Sequence, residues 1–148
     1  MSEAHARRSM PVLRLGMGLF LVAWGIDKLA NTQGSQGIFS HFYGVEAGPS
    51  LIQVAGVAEI VLGLLLAVGL YRVPVAWLAL IVNAVSTVAS WKQILDPWGW
   101  LGLTKGGTHL FLASIVILAA NIVLVMNARD ATCTLDRKLR GAGGDALA

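Results

Sequence analysis

Residues 51–71 read LIQVAGVAEIVLGLLLAVGLY, with Glu59 as the one charged side chain among them. A helix rises 1.5 Å per residue, so about 20 residues cross the ~30 Å hydrocarbon core of a bilayer. Backbone groups there have no water to bond, which leaves a helix as the natural solution for an isolated apolar run. The stretch is therefore predicted as a membrane-spanning helix. Glu59 lies eight residues from its start, about 12 Å down the helix axis.

Three further apolar runs lie on either side. Arg72 and Pro74 form a very short connection to residues 75–95, uncharged until Lys92, so the second and third spans are expected as antiparallel neighbours. A fourth run covers 108–126, with His109 near its start. Upstream, the first span is placed at 10–30. Its uncharged stretch, 15–26, is only 12 residues long, so a full crossing must draw in Arg14 at one end and Asp27 with Lys28 at the other. Arg14 is expected to snorkel to the membrane surface. The predicted fold is all-α, an integral-membrane four-helix bundle over 10–126, between an N-terminal tail (1–9) and a mobile C-terminal tail (127–148).

Composition agrees. The chain of 148 residues is 56% hydrophobic and 13% charged, with a mean hydropathy of +0.71, whereas soluble domains carry about a quarter charged residues. A net charge of +3 does not indicate nucleic acid, because the basic residues sit at the ends of apolar runs rather than on one polar face. Arg7, Arg8 and Arg14 before an apolar run resemble the start of a signal peptide. Lys28, however, stands where a cleavage site requires a small residue, so the segment is read as a retained span. Cys133 is the single cysteine; it cannot form an internal disulfide and is read as incidental.

Orientation follows from Lys and Arg. With the N-terminus inside, eight basic residues (Arg7, Arg8, Arg14, Arg72, Arg129, Arg137, Lys138, Arg140) are cytoplasmic and three (Lys28, Lys92, Lys105) are outside. The expected protein has both termini in the cytoplasm of a bacterial inner membrane.

Both outer loops carry aromatic residues. In residues 31–50, Ile38, Phe39, Phe42, Tyr43 and Val45 fall on one face of a short amphipathic helical segment. Residues 96–107 hold Trp98 and Trp100 among turn residues, and Trp24 and Trp91 lie at the same level. Two readings stand: an aromatic belt that anchors the protein at the lipid–water boundary, or loops that fold inward and cap a pocket.

Ionisable groups at membrane depth are costly and point to function. Glu59 must be protonated or paired. By depth its candidate partners are Asp27, Lys28, Ser90, Lys92 and His109. Asp27 and Lys28 point about 100° apart on a helix, so both cannot face Glu59 equally. Asn83, Ser86, Thr87 and Ser90 form one helical stripe, and so do Gly56, Glu59 and Gly63. Such stripes serve close packing and hydrogen bonds between helices, or line a polar interior. His5, His41 and His109 share no metal-ligand spacing, and no span carries paired histidines for a b-type haem.

The run from Arg14 to Lys28 (RLGMGLFLVAWGIDK), the Phe39–Gly44 segment, and Gly56 to Leu66 (GVAEIVLGLLL) with Gly69 and Tyr71-Arg72 resemble the DoxX/DoxD-like family of small four-helix bacterial membrane proteins. The resemblance covers about Arg14 to Met126. It implies a four-helix bundle and, in some members, association with quinone-linked redox enzymes; others accompany superoxide-handling or thiol-stress proteins or act in assembly. Fold transfers better than activity across such a family. Lys28 and Glu59 are the charged positions the resemblance carries over, and the lack of a cysteine pair argues against disulfide handling. The expected function is a membrane subunit of a quinone-linked oxidoreductase, with no covalently bound cofactor and no metal. Glu59 or Asp27 would exchange a proton, and Lys28, Lys92, His109, Asn83 and Trp91 would line a quinone pocket. Expected partners are the lipid bilayer and either other subunits of a complex or further copies of the chain. The alternative is a non-catalytic anchor or assembly subunit. A proton-coupled carrier ranks last, since no broken helix or inverted repeat is visible.

Overall fold

A computed structural model describes residues 3–129, with side chains from Ser9 onward. The C-terminal tail beyond Arg129, Cys133 included, lies outside the described residues. The helices are α1 (Glu3–Ala30), α2 (Thr32–Ile38), α3 (Pro49–Val68), α4 (Arg72–Ala89), α5 (Trp91–Leu95) and α6 (Ala113–Met126). Four apolar segments are long enough to cross a bilayer: Ser9–Ala30, α3, α4 and His109–Met126, the last including a 3-10 turn ahead of α6. They run up and down, so residues 31–48 and 90–108 share one end, the loop end, and the α3–α4 connection lies at the other.

Glycines set the tightest contact. Gly18 faces Gly63 and Gly25 faces Gly56 across the antiparallel α1–α3 pair. A Cβ on Gly18 would stand 2.5 Å from the Gly63 carbonyl oxygen, and one on Gly25 2.6 Å from that of Gly56. In lipid, where apolar surface alone gives helices little reason to associate, such close approach supplies the dispersion contacts that hold a pair together.

The α1–α3 and α4–α6 pairs meet away from the loop end. Met17, Leu21, Leu66, Val75, Ala79 and Leu124 form the buried cluster there. The α3–α4 connection is as short as Arg72 and Pro74 suggest. Gly69 caps α3 in the left-handed region (φ 72°). Its N–H donates to the Leu66 carbonyl and that of Leu70 to the Leu65 carbonyl, the paired bonds that close a helix C-terminus.

Two expectations change. Arg14 does not reach out to the surface: it is 7% exposed, and its Nε donates to the Ala67 carbonyl oxygen at 3.3 Å. The last carbonyls of α3 lack intrahelical partners and carry the negative end of the helix dipole, so they hold a guanidinium inside the bundle. The helix of the third span, expected to run to residue 95, stops at Ala89. Ser90 leaves helical geometry (φ −93°, ψ 18°), and Trp91–Leu95 form a separate turn-and-a-half.

Beyond α5, Asp96 organises the second loop. Its carboxylate accepts from the N–H of Leu101 (3.2 Å), Leu103 (2.9 Å) and Thr104 (3.3 Å). Burial raises the Asp96 carboxyl, but the backbone donors of Leu101, Leu103, Thr104 and Trp100 outweigh it and hold the group below its ordinary range.

A lidded cavity with a buried ion pair

Where the helix pairs separate toward the loop end, they flank a partly open cavity of about 830 Å³. Its lower wall is apolar, built from Phe20 and Leu21 of α1, Ile81 and Val82 of α4, and Ile117 of α6. The first loop is its roof. Ile38, Phe39, Phe42, Tyr43 and Val45, the five apolar positions of the amphipathic segment, all line it. Phe39–Tyr43 form a π-helical turn closed by Gly44 in the left-handed region. Phe42 packs on Phe111 at 5.5 Å between ring centroids, and the Tyr43 hydroxyl lies 2.9 Å from Ser86 Oγ. Of the two readings of the loops, inward capping holds for the first. The second stays outside: Trp98 and Trp100 stack on each other at 5.1 Å and remain exposed.

Lys28 and Glu59 line this cavity as an ion pair, Nζ to Oε2 at 2.7 Å, with side chains 12% and 17% exposed. The glycine register explains how they meet. Three residues beyond Gly25 lies Lys28, and three before Gly56 lies Gln53, so Lys28 stands level with Gln53. Glu59 is six residues deeper on α3, about 9 Å at 1.5 Å per residue. Side chains lean toward the N-terminus of their helix. In this antiparallel pair the lysine stem leans down and the glutamate up, and together they close the gap. Trp24 flanks them, its ring centroid 5.8 Å from Lys28 Nζ.

Asn83, Ser86 and Thr87 of α4, and Ser90 just past its end, all face the cavity. Apart from the Ser86 contact with Tyr43 of the first loop, they make no side-chain hydrogen bond to another element among the described residues. Each side chain bonds back to a carbonyl four residues earlier: Asn83 Nδ2 to Ala79 (2.9 Å), Ser86 Oγ to Val82 (3.1 Å), Thr87 Oγ1 to Asn83 (2.7 Å) and Ser90 Oγ to Ser86 (2.9 Å).

Of the residues singled out from the sequence, Lys28, Glu59 and Asn83 come together on the cavity. Asp27, Trp91, Lys92 and His109 are not among its lining residues. With Lys28 turned to α3, Asp27 points about 100° away, and among the described residues it has no ion-pair partner. The break at Ser90 takes Trp91 and Lys92 off the α4 axis, where Lys92 Nζ sits 5.6 Å over the Trp91 ring. His109 is exposed and packs edge-on against Trp98 at 5.5 Å. Neither the glycine pairing nor the Tyr43–Ser86 latch follows from hydropathy and depth. The glycines do leave a signal in the sequence, since Gly18 and Gly25 repeat the seven-residue spacing of Gly56 and Gly63. The latch leaves none.

Four helices that cross a bilayer, with an ion pair under a loop lid, define a multi-pass membrane protein. The DoxX family model matches residues 9–91, more than half of the chain, and the chain belongs to the DoxX family. The matched region includes both members of the ion pair and the α4 stripe. Searches of curated proteins and of solved structures found no match.

Proposed function

We propose that the cavity binds a quinone ring and that the protein serves as a membrane subunit of a quinone-linked oxidoreductase. It would sit in a bacterial cytoplasmic membrane with both termini on the cytoplasmic side, as the distribution of Lys and Arg favours. The carrying observation is a mostly apolar cavity of about 830 Å³ whose charged groups are the single pair Lys28–Glu59. Ligand sites run about 300–1,000 Å³, with apolar walls and a few convergent polar groups, so the lining fits a substituted ring with part of a tail. Lys28 Nζ would donate to a ring oxygen, Phe20, Trp24, Phe42 and Phe111 would enclose the ring, and Glu59 would exchange the accompanying proton. A bound quinone supplies two-electron, two-proton redox chemistry. The proton role expected for Asp27, and the pocket roles expected for Lys92, His109 and Trp91, find no support in their positions, so the proposal rests on Lys28, Glu59 and Asn83. The test is Glu59→Gln in the purified complex with a quinone acceptor. Loss of a positioned proton carrier predicts a fall on the order of 100-fold; an unchanged rate removes the proton role.

A second reading has its own support. The glycine seam and the ion pair satisfy each other within one helix pair, which suits a non-catalytic anchor or assembly subunit. Purification in mild detergent separates the two. An assembly role predicts a stoichiometric partner with a haem, flavin or metal spectrum, and a Glu59→Gln variant that lowers recovery of the complex while leaving turnover per complex unchanged.

A further inference from the structure

The cavity is partly open, and its edge differs in chemistry from its interior. Every lining residue that is exposed in the chain is apolar: Trp24 on α1, Ile38 and Val45 on the first loop, Ile81 and Val85 on α4, and Leu110 and Ala113 on the fourth span. Every polar one, Lys28, Glu59, Asn83 and Ser90 among them, is buried or half-buried. Trp24 lies six residues below the end of α1 at Ala30, and Val85 five below Ser90. Those spacings are about 9 Å and 7.5 Å along a helix, which places both residues at the level of lipid tails. Toward water the first loop closes the cavity, with Phe42 packed on Phe111 and the Tyr43 hydroxyl against Ser86. The cavity therefore opens sideways, into the bilayer.

Two seams separate the helix pairs, α1–α6 and α3–α4, and they are built differently. To the lining α3 contributes Glu59 alone among the described residues, so one wall of its seam carries an ionisable group. Both walls of the α1–α6 seam are apolar. Phe20 and Trp24 line the cavity one turn apart on α1, packed edge to face at 6.3 Å, and Ala113 and Ile117 line it one turn apart on α6. Trp24 is turned about 100° from Gly25, the residue seated on α3. Ala113 adds only a methyl to its wall, which leaves width for a hydrocarbon chain. Resting on the reading above that the cavity holds a quinone-type ring, we infer that the ligand is a membrane-borne ring with a long apolar tail, and that the tail leaves through the α1–α6 seam. The ring oxygens meet the polar groups inside, while the tail runs from Trp24 past Ala113 and Leu110 into the acyl chains. An apolar tail suits that edge, whereas a polar substituent there would be stripped of water without gaining a partner.

The test uses the full chain in lipid nanodiscs. The probe is a benzoquinone whose decyl tail carries a diazirine close to the ring. After irradiation, labelled peptides are mapped by mass spectrometry with and without an excess of the same ring bearing a plain decyl tail. Labelling that the plain ligand competes away should fall on residues 20–24 of α1 and 110–117 of the fourth span. Competable labelling centred on 81–85 of α4 or on the first loop would overturn the inference while leaving a ring-binding cavity intact. No competable labelling anywhere would overturn the quinone reading and this inference together. Affinity, measured by equilibrium partitioning, is an independent readout. Ala113→Phe fills the seam, so the decyl-tailed ring should bind about tenfold more weakly, toward the low end of what overpacking an apolar site costs, while a methyl-tailed ring keeps its Kd within about twofold. Val85→Phe, on the other seam, should leave both ligands unchanged. An unaffected decyl-tailed ring in Ala113→Phe, equal weakening of both ligands, or weakening in Val85→Phe instead refutes the α1–α6 route. If Ala113→Phe fails to fold, photolabelling of the unaltered chain decides the question.

Discussion

Replacing Lys28 with methionine keeps the length and apolar bulk of the stem but leaves the Glu59 carboxylate without its 2.7 Å partner. More than four-fifths of each side chain is buried, so water does little to screen the pair or to rescue the survivor. Breaking a buried ion pair from one side costs about 3–5 kcal/mol, whereas replacing both members by apolar groups of similar volume is often close to neutral. For a chain of this size each kcal/mol moves the midpoint by roughly 2–4 °C. The single variants Lys28→Met and Glu59→Leu should therefore each lower the thermal midpoint in detergent by roughly 10 °C, and the double variant should recover most of that loss. The coupling in the resulting cycle, the double-variant loss less the sum of the two single losses, is then about 6 kcal/mol in magnitude with each single at the low end of that range, and it belongs to the pair. The assay is thermal unfolding followed by near-UV circular dichroism, with all four proteins in the same detergent. Single variants within 1–2 °C of the parent, or a double variant no better than the worse single, would refute a dry, mutually dependent pair.

Three further outcomes follow from the same structure. Gly25→Ala places a methyl 2.6 Å from the Gly56 carbonyl oxygen, so α1 and α3 must move apart; an overpacking cost of about 1–3 kcal/mol is expected, read as a lower midpoint, and Gly16→Ala, with open space around it, is the control that should not lower the midpoint and should raise it slightly, since alanine is favoured over glycine inside a helix by about 0.5–1 kcal/mol. Asp96 has its carboxyl depressed by backbone donors against the opposing effect of burial, so its contribution to the 96–107 loop is fully present above the unfolded value of about 3.9 and is lost as pH falls through the lower folded value; hydrogen exchange at Leu101, Leu103 and Thr104, compared at matched intrinsic rates, should accelerate below about pH 4, while Asp96→Asn should exchange fast already at pH 7. Asn121 is wholly buried, and its Oδ1 has no hydrogen-bond partner; Asn121→Leu removes that unmet acceptor and should leave stability unchanged or raise it by about 1–2 kcal/mol, by the same thermal assay.

The crossing helices are legible in the sequence because lipid imposes a one-dimensional requirement: a run either is long and apolar enough or it is not. The same logic places Glu59 among candidate partners by depth alone, and the spacing of Ile38, Phe39, Phe42, Tyr43 and Val45 marks one face without reference to what it covers. Rotation and register are another matter. Asp27 and Lys28 are adjacent and equally deep, yet only the seating of Gly18 on Gly63 and of Gly25 on Gly56 turns Lys28 toward Glu59 and leaves Asp27 aside. Likewise the break at Ser90 ends α4 six residues earlier than hydropathy suggests and takes Lys92 away from the site. Hydropathy records how deep a residue sits, a property of the chain and its solvent. Which way the residue faces depends on backbones of different helices coming within contact distance, so the pocket and its ion pair emerge only from the packed bundle.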